Sequence, residues 1–228
     1  MQTNGPRPGH SSASGVTITG PVVVIRSDAQ QSRPRIGEPS VVGWILTVAG
    51  ALGLSASLVL TIEKFSLLAD PSYQPSCSIN PVISCGSIMS SPQAEAFGFP
   101  NPLLGVIGFS VALTTGIVSV AGVVLPRWYW MGLCAGLGAA TVFVHWLIFQ
   151  SLYRIQALCP YCMLVWVVTV VSLWYALLHL ASRDLPARQR RRRWAVAGRN
   201  HTLVLTVWLL TVAALIFEAF WVYWQTLV

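Results

Sequence analysis

Apolar residues in this chain come in long unbroken runs, without the regular polar positions that give a soluble helix or strand its wet face. Five runs, 41–62, 103–125, 128–150, 158–181 and 202–225, contain no Lys, Arg or Asp. Each is close to the roughly 20 residues a helix needs to cross a hydrocarbon layer. They predict five membrane-spanning helices and an all-α integral membrane protein. The first run is longer than the apolar part of a signal peptide and has no small-residue cleavage site beside it, so it reads as a retained helix.

The polar stretches between the runs set the organisation. Residues 1–38 are rich in Gly, Pro, Ser, Gln and Arg and predict a disordered tail. The run "VTITGPVVVI" inside it is β-prone but has no obvious partner. The connections at 126–128 and 151–157 are short, so the second and third spans form a tight antiparallel hairpin. One connection is long, 63–102. It holds Pro71, Pro75, Pro81, Pro92, Pro100 and Pro102, which exclude one continuous helix. A loop of that length in a compact protein reads as functional. Small residues in the third span, "GLCAGLGAA", predict close approach of a neighbouring helix.

Composition agrees. The chain is 54% apolar and 9% charged, against about 25% charged for soluble domains. The net charge of +7 could suggest a nucleic-acid partner, but its distribution points to a membrane. Arg7, Arg26, Arg33 and Arg35 precede the first span, Arg127 separates the second from the third, and seven Arg lie between the fourth and fifth. Only Lys64 and Arg154 fall in the other two connections. By the positive-inside rule the N-terminus is cytoplasmic and the C-terminus extracytoplasmic. The expected protein is a multi-pass component of the cell membrane. It has a cytoplasmic tail at 1–38, a core at 39–181 with its external loop at 63–102, an Arg-rich cytoplasmic loop at 182–201 and a fifth helix at 202–228. The run "RQRRRR" reads as a topology anchor on anionic lipid, with no nucleic-acid role.

This topology sorts the cysteines. Cys77 and Cys85 lie in the long external loop, and Cys159 and Cys162 at the external start of the fourth span. All four are outside the cytosol, where disulfides persist. Cys134 lies near the opposite side and reads as a small packing residue. In "LCPYC", Pro160 suits the first helical position. Cys159 then sits at the helix N-terminus, where unpaired N–H groups stabilise a thiolate. Cys162 is one turn on and can close a readily exchanged disulfide. Cys77 and Cys85 are spaced poorly for zinc. Spacing leaves open a static disulfide and an electron-relay pair.

In order along the chain, "CSINPVISCGSIMSS", "FGFPNPLLGVIGF" and "LCPYC" resemble bacterial homologues of vitamin K epoxide reductase over about residues 41–181. The resemblance implies a four-helix transmembrane bundle enclosing a quinone near the external side, plus a fifth helix. It implies that Cys159 and Cys162 are the active-site pair, with Cys162 nearer the ring, and that Cys77 and Cys85 are the shuttle pair. Asn101 matches an amide that hydrogen-bonds a quinone oxygen, and Ser91 a serine beside the loop. Residues 86–98 would form a short amphipathic segment over the pocket. The quinone would be menaquinone, with ubiquinone as the alternative. The chain departs from some relatives at Trp166, where they carry Tyr, and in having no fused thioredoxin-like domain. The reductant is then expected to be a separate extracytoplasmic thioredoxin-like (DsbA-like) protein.

The function implied is a membrane thiol:quinone oxidoreductase supporting disulfide formation. The alternatives are a vitamin K-type epoxide reductase running the same cysteines in the reducing direction and a disulfide-stapled scaffold without activity. His145 and Glu218 are ionisable groups within spans and so are candidates by position. His145 reads as an inter-helix hydrogen bond or a proton donor, and Glu218 as a partner of Lys64 or Arg154.

Overall fold

The structure, a computed structural model, describes residues 41–80, 82–182 and 187–225. The expected features of the 1–38 tail lie outside them. Among the described residues, four helices are long and apolar enough to cross a membrane. They are α1 (Val41–Ala69), α3 (Pro102–Val120), α4 (Arg127–Gln150) and α5 (Pro160–Ser182). A short helix, α2 (Cys85–Met89), and a 3₁₀ turn (Pro92–Glu95) lie between α1 and α3. The chain is an all-α membrane bundle. Val48, Leu52, Ile62, Ile107, Val142 and Phe149 are exposed on its outside, as lipid requires.

Helix α1 packs most closely on α3. A Cβ on Gly50 would fall 2.6 Å from the backbone nitrogen of Leu113, and one on Gly116 would strike the backbone of Thr47. The small residues that let helices touch are therefore on the first and second spans. The third-span stretch behaves differently from expectation, because Gly132, Gly136 and Gly138 face open space.

Helix α1 also continues seven residues beyond the end of its apolar run at Ile62, through Glu63 and Lys64, to Ala69. The long loop expected at 63–102 therefore starts at Asp70 rather than at residue 63. Both charged side chains are buried, at 7% and 6% exposure. Buried charge is tolerated when it is paired and hydrogen-bonded, and both residues meet that condition. The Glu63 carboxylate accepts from Tyr73 Oη at 2.9 Å and Ser76 Oγ at 2.6 Å. The Lys64 ammonium donates to the Met89 carbonyl at 2.7 Å and pairs with Glu95 at 2.9 Å. Lys64 is thus engaged by Glu95 rather than Glu218, which is exposed on its own helix.

The other end of the bundle differs less. The stretch expected as an Arg-rich loop is helical from Ala187, and α6 runs from Ala187 to Ala219 before a break at Phe220 and a last turn, α7 (Trp221–Gln225). Arg is a good helix former, and no Pro lies within α6 to stop it. Cys134 is buried with Leu46, Trp130 and Ala176, away from the other cysteines. His145 makes the inter-helix bond: its Nε2 accepts from the Trp208 indole at 2.9 Å, and its Nδ1 meets the Thr141 carbonyl at 2.8 Å. Both ring nitrogens are occupied, which ties α6 to α4.

Candidate active site

Local backbone rules assemble the cysteines. Helix α4 ends in a π turn (Ser151–Ile155), and Gln156 adopts the left-handed conformation with φ 55°. The chain reverses there, held by the Ser151 hydroxyl donating to the Ala157 carbonyl. The extended residues that follow meet the long α1–α3 loop in a parallel bridge between Ile83 and Leu158. Leu158 N–H donates to Val82 O at 2.7 Å, and Ser84 N–H to Leu158 O at 3.0 Å. After the bridge each strand turns into a helix that begins with cysteine chemistry.

On the loop side, Ser84 caps α2 by accepting from Ser87 N–H, and Cys85 is the first helical residue. On the other side, Cys159 precedes Pro160, the first residue of α5. Its sulfur accepts from the Cys162 N–H at 3.4 Å, taking the capping role usually filled by oxygen. The register brings Cys85 Sγ within 3.1 Å of Cys159 Sγ. Both are buried, at 0% and 1% exposure.

Cys77 and Cys85 form a disulfide, while Cys159 and Cys162 are free thiols. The sulfurs of Cys77, Cys85 and Cys159 lie within 4.8 Å of one another. With Cys77 and Cys85 joined and Cys159 3.1 Å from Cys85, the sulfurs stand close enough for thiol–disulfide exchange. The Cys159 thiol is held below the ordinary thiol range, chiefly because the Cys162 thiol hydrogen-bonds to its sulfur. Burial opposes the shift, and the N–H groups of Cys162 and Tyr161 assist it. The helix-start argument for a stabilised thiolate therefore agrees with the geometry.

Cys162 faces a large apolar cavity of about 700 Å³. Its walls come from α1, α3, α4 and α5, and the α2–3₁₀ segment closes one end. Gly132, Gly136, Ala139 and Ala140 line it, so the small residues of α4 make room for an occupant. Helices α3 and α4 barely touch. The lining residues Leu104, Ile107 and Val111 are exposed along that seam, so the cavity opens sideways toward lipid. Few polar groups reach it, among them Lys64, Ser91 and Asn101. An apolar chamber with a lipid-side opening and a few polar groups at one end suits a molecule with a polar head and a greasy tail.

Asn101 and Ser91 both sit at that end and both hold the lid. Asn101 Nδ2 donates to Gln93 O at 2.7 Å, and its Oδ1 accepts from Ala96 N–H at 3.2 Å. Ser91 Oγ donates to Ile88 O at 2.7 Å. The segment expected at 86–98 is present as two short pieces, interrupted where Pro92 starts the 3₁₀ turn. Lys64 was missed as a site residue. Its signal was a cation at the very end of an apolar run. A second, shallower groove of about 400 Å³ lies beside the outer disulfide, lined by Tyr73, Pro75, Ser78, Asn80 and Gly86 among others.

The model of the vitamin K epoxide reductase family matches residues 44–177, more than half of the chain. The protein belongs to that family, whose members are membrane thiol–disulfide oxidoreductases that use a quinone.

Proposed function

We propose that this member of the family reoxidises a separate extracytoplasmic thioredoxin-like thiol oxidase and passes the electrons through two cysteine pairs to a membrane quinone. Menaquinone is the proposed acceptor. The observation that carries the reading is the 3.1 Å approach of Cys85 to Cys159, with Cys162 on the cavity wall behind them. Both pairs work outside the cytosol, in the orientation the Arg distribution favours.

A partner thiolate attacks Cys77 from the side of the polar groove, and the Cys77–Cys85 bond breaks with Cys85 leaving as thiolate. The partner's second thiol resolves the mixed disulfide, so the partner departs oxidised. When the inner pair is oxidised, Cys85 attacks Cys159 and Cys162 leaves as thiolate. Cys77 then closes on Cys85 and frees Cys159. The outer pair is again a disulfide and the inner pair holds two electrons. The distribution present here, an outer disulfide beside two free inner thiols, matches that stage and supports the order. A quinone bound in the cavity would supply the two-electron, two-proton acceptor, with Cys162 on the wall beside it.

Asn101 keeps one amide hydrogen beyond the bond to Gln93, available to an oxygen in the cavity. Ser91 steadies the lid and retains acceptor capacity. Cys162 delivers the electrons and closes the disulfide with Cys159. The test is quinone reduction in detergent with a reduced thioredoxin-like protein or a small dithiol as donor. Cys77→Ala loses turnover with the protein donor and keeps it with the small one. Equal loss with both donors would contradict the relay.

A further inference from the structure

Lys64 is a buried cation on the cavity wall that the cysteine relay does not use. Its ammonium has three hydrogens. One goes to the Met89 carbonyl and one to Glu95, which leaves a third for an oxygen in the cavity. Met89 packs with Cys85, Cys159 and Cys162, so the ammonium is held at the cysteine end of the chamber. Glu95 is 40% exposed and reaches from Lys64 to the external water. Together they form a chain of ionisable groups from solvent to an otherwise apolar chamber.

We propose that Lys64 is the proton donor to the acceptor bound in this cavity and that Glu95 returns the proton from outside. This rests on the thiol:quinone reading above. In the balanced step, the Cys159 thiolate and the Cys162 thiol give up two electrons and one proton and become a disulfide. Lys64 gives the second proton, and the acceptor leaves reduced by two electrons and two protons. Lys64 regains its proton through Glu95. Negative charge developing in an apolar chamber is costly, and a fixed cation beside it counters that cost.

The other ionisable groups near Lys64 or on the cavity wall are committed. Glu63, its neighbour on α1, is spent on Tyr73 and Ser76. Tyr129, which lines the cavity near the start of α4, far from Lys64, is hydrogen-bonded to Thr115 of α3. Cys159 and Cys162 at the start of α5 are the electron donors.

The test compares Lys64→Arg and Lys64→Met in the full chain. Arg keeps the charge and reaches the same partners but holds its proton at every assay pH. Lys64→Arg is expected to bind menaquinone as wild type does, read by quenching of Trp fluorescence, and to protect residues 86–98 equally from hydrogen–deuterium exchange. Its turnover falls by about 100-fold or more, the usual worth of a positioned acid. Lys64→Met loses turnover to a similar degree, and its residual rate rises as pH falls because bulk protons substitute. Where Lys64→Met also loosens the lid, seen as faster exchange over 86–98, Lys64→Arg decides. Lys64→Arg at the wild-type rate overturns the proposal and leaves Lys64 as a lid latch. A wild-type protein whose cysteines exchange with the partner but reduce no quinone overturns the proposal and the thiol:quinone reading together.

Discussion

Ile83 and Leu158 lie side by side in a parallel bridge, and its register delivers Cys85 and Cys159 to within 3.1 Å of each other. Two residues distant in sequence are aligned by main-chain bonds, and side-chain chemistry is then placed by counting along each strand. Leu158→Pro removes the N–H that Val82 accepts. We expect it to slow transfer from the outer to the inner pair at least about tenfold, the scale of one lost buried hydrogen bond. Both pairs should still react with small dithiols. Rapid-quench alkylation with mass mapping of the four cysteines checks this.

Loss of the last relay member should freeze the exchange midway. Without Cys162, Cys159 has no inner partner, and Cys85 is its nearest sulfur. Cys162→Ala treated with a mild oxidant is expected to accumulate a Cys85–Cys159 disulfide with Cys77 free. Non-reducing peptide mapping reads the linkage. Retention of Cys77–Cys85 alone would speak against exchange between the pairs.

The hydrogen bond from Cys162 has a pH consequence. Because Cys159 is held below the ordinary thiol range, its thiolate persists as pH falls past that range and is lost only on crossing the lowered value. Alkylation of Cys159 in the reduced protein should therefore reach half its maximal rate below the pH of an ordinary thiol. Cys162→Ala, which removes the largest cause, should move the midpoint upward. The linkage has the same sign: the reduced protein gains stability from this group above the unfolded thiol value and loses it as pH falls through the folded one.

The two sets of small residues predict opposite phenotypes. Gly116→Val would force α3 off α1, where a Cβ already collides with Thr47. Overpacking of this kind costs about 1–3 kcal/mol, visible as lower thermal stability in detergent. Gly136→Phe points into open space on the cavity wall and should leave stability nearly unchanged. It should instead weaken quinone binding at least about tenfold, or about 1.4 kcal/mol, measured by fluorescence quenching.

These two glycines also show what could be read from the chain. Small residues were recognised as meaningful, but whether smallness serves a neighbouring helix or a ligand depends on what stands opposite, and local pattern does not carry that. The first four apolar runs located spans because a bilayer imposes length and composition together, whereas the fifth, expected as a span at 202–225, is among the described residues a shorter apolar helix, Leu203–Ala219. The Cys-Pro-Tyr-Cys stretch disclosed its helix start because Pro160 and the N-terminal N–H groups act locally. Glu63 and Lys64 misled for the opposite reason. Charges usually end a span, yet here α1 carries them on because Tyr73, Ser76, Met89 and Glu95 return from the loop to satisfy them. The Ile83–Leu158 bridge was invisible because it joins segments far apart in the chain. The motif singles out Asn101, while its bonds to the lid depend on partners at Gln93 and Ala96.

The most direct measurement is a single turnover. The inner pair is reduced stoichiometrically, excess reductant is removed, and menaquinone is added without oxygen. The relay predicts one quinol per protein, formed together with one Cys159–Cys162 disulfide, and none from Cys162→Ala. Free thiols that persist beside unreduced quinone, or equal quinol from Cys162→Ala, would contradict it.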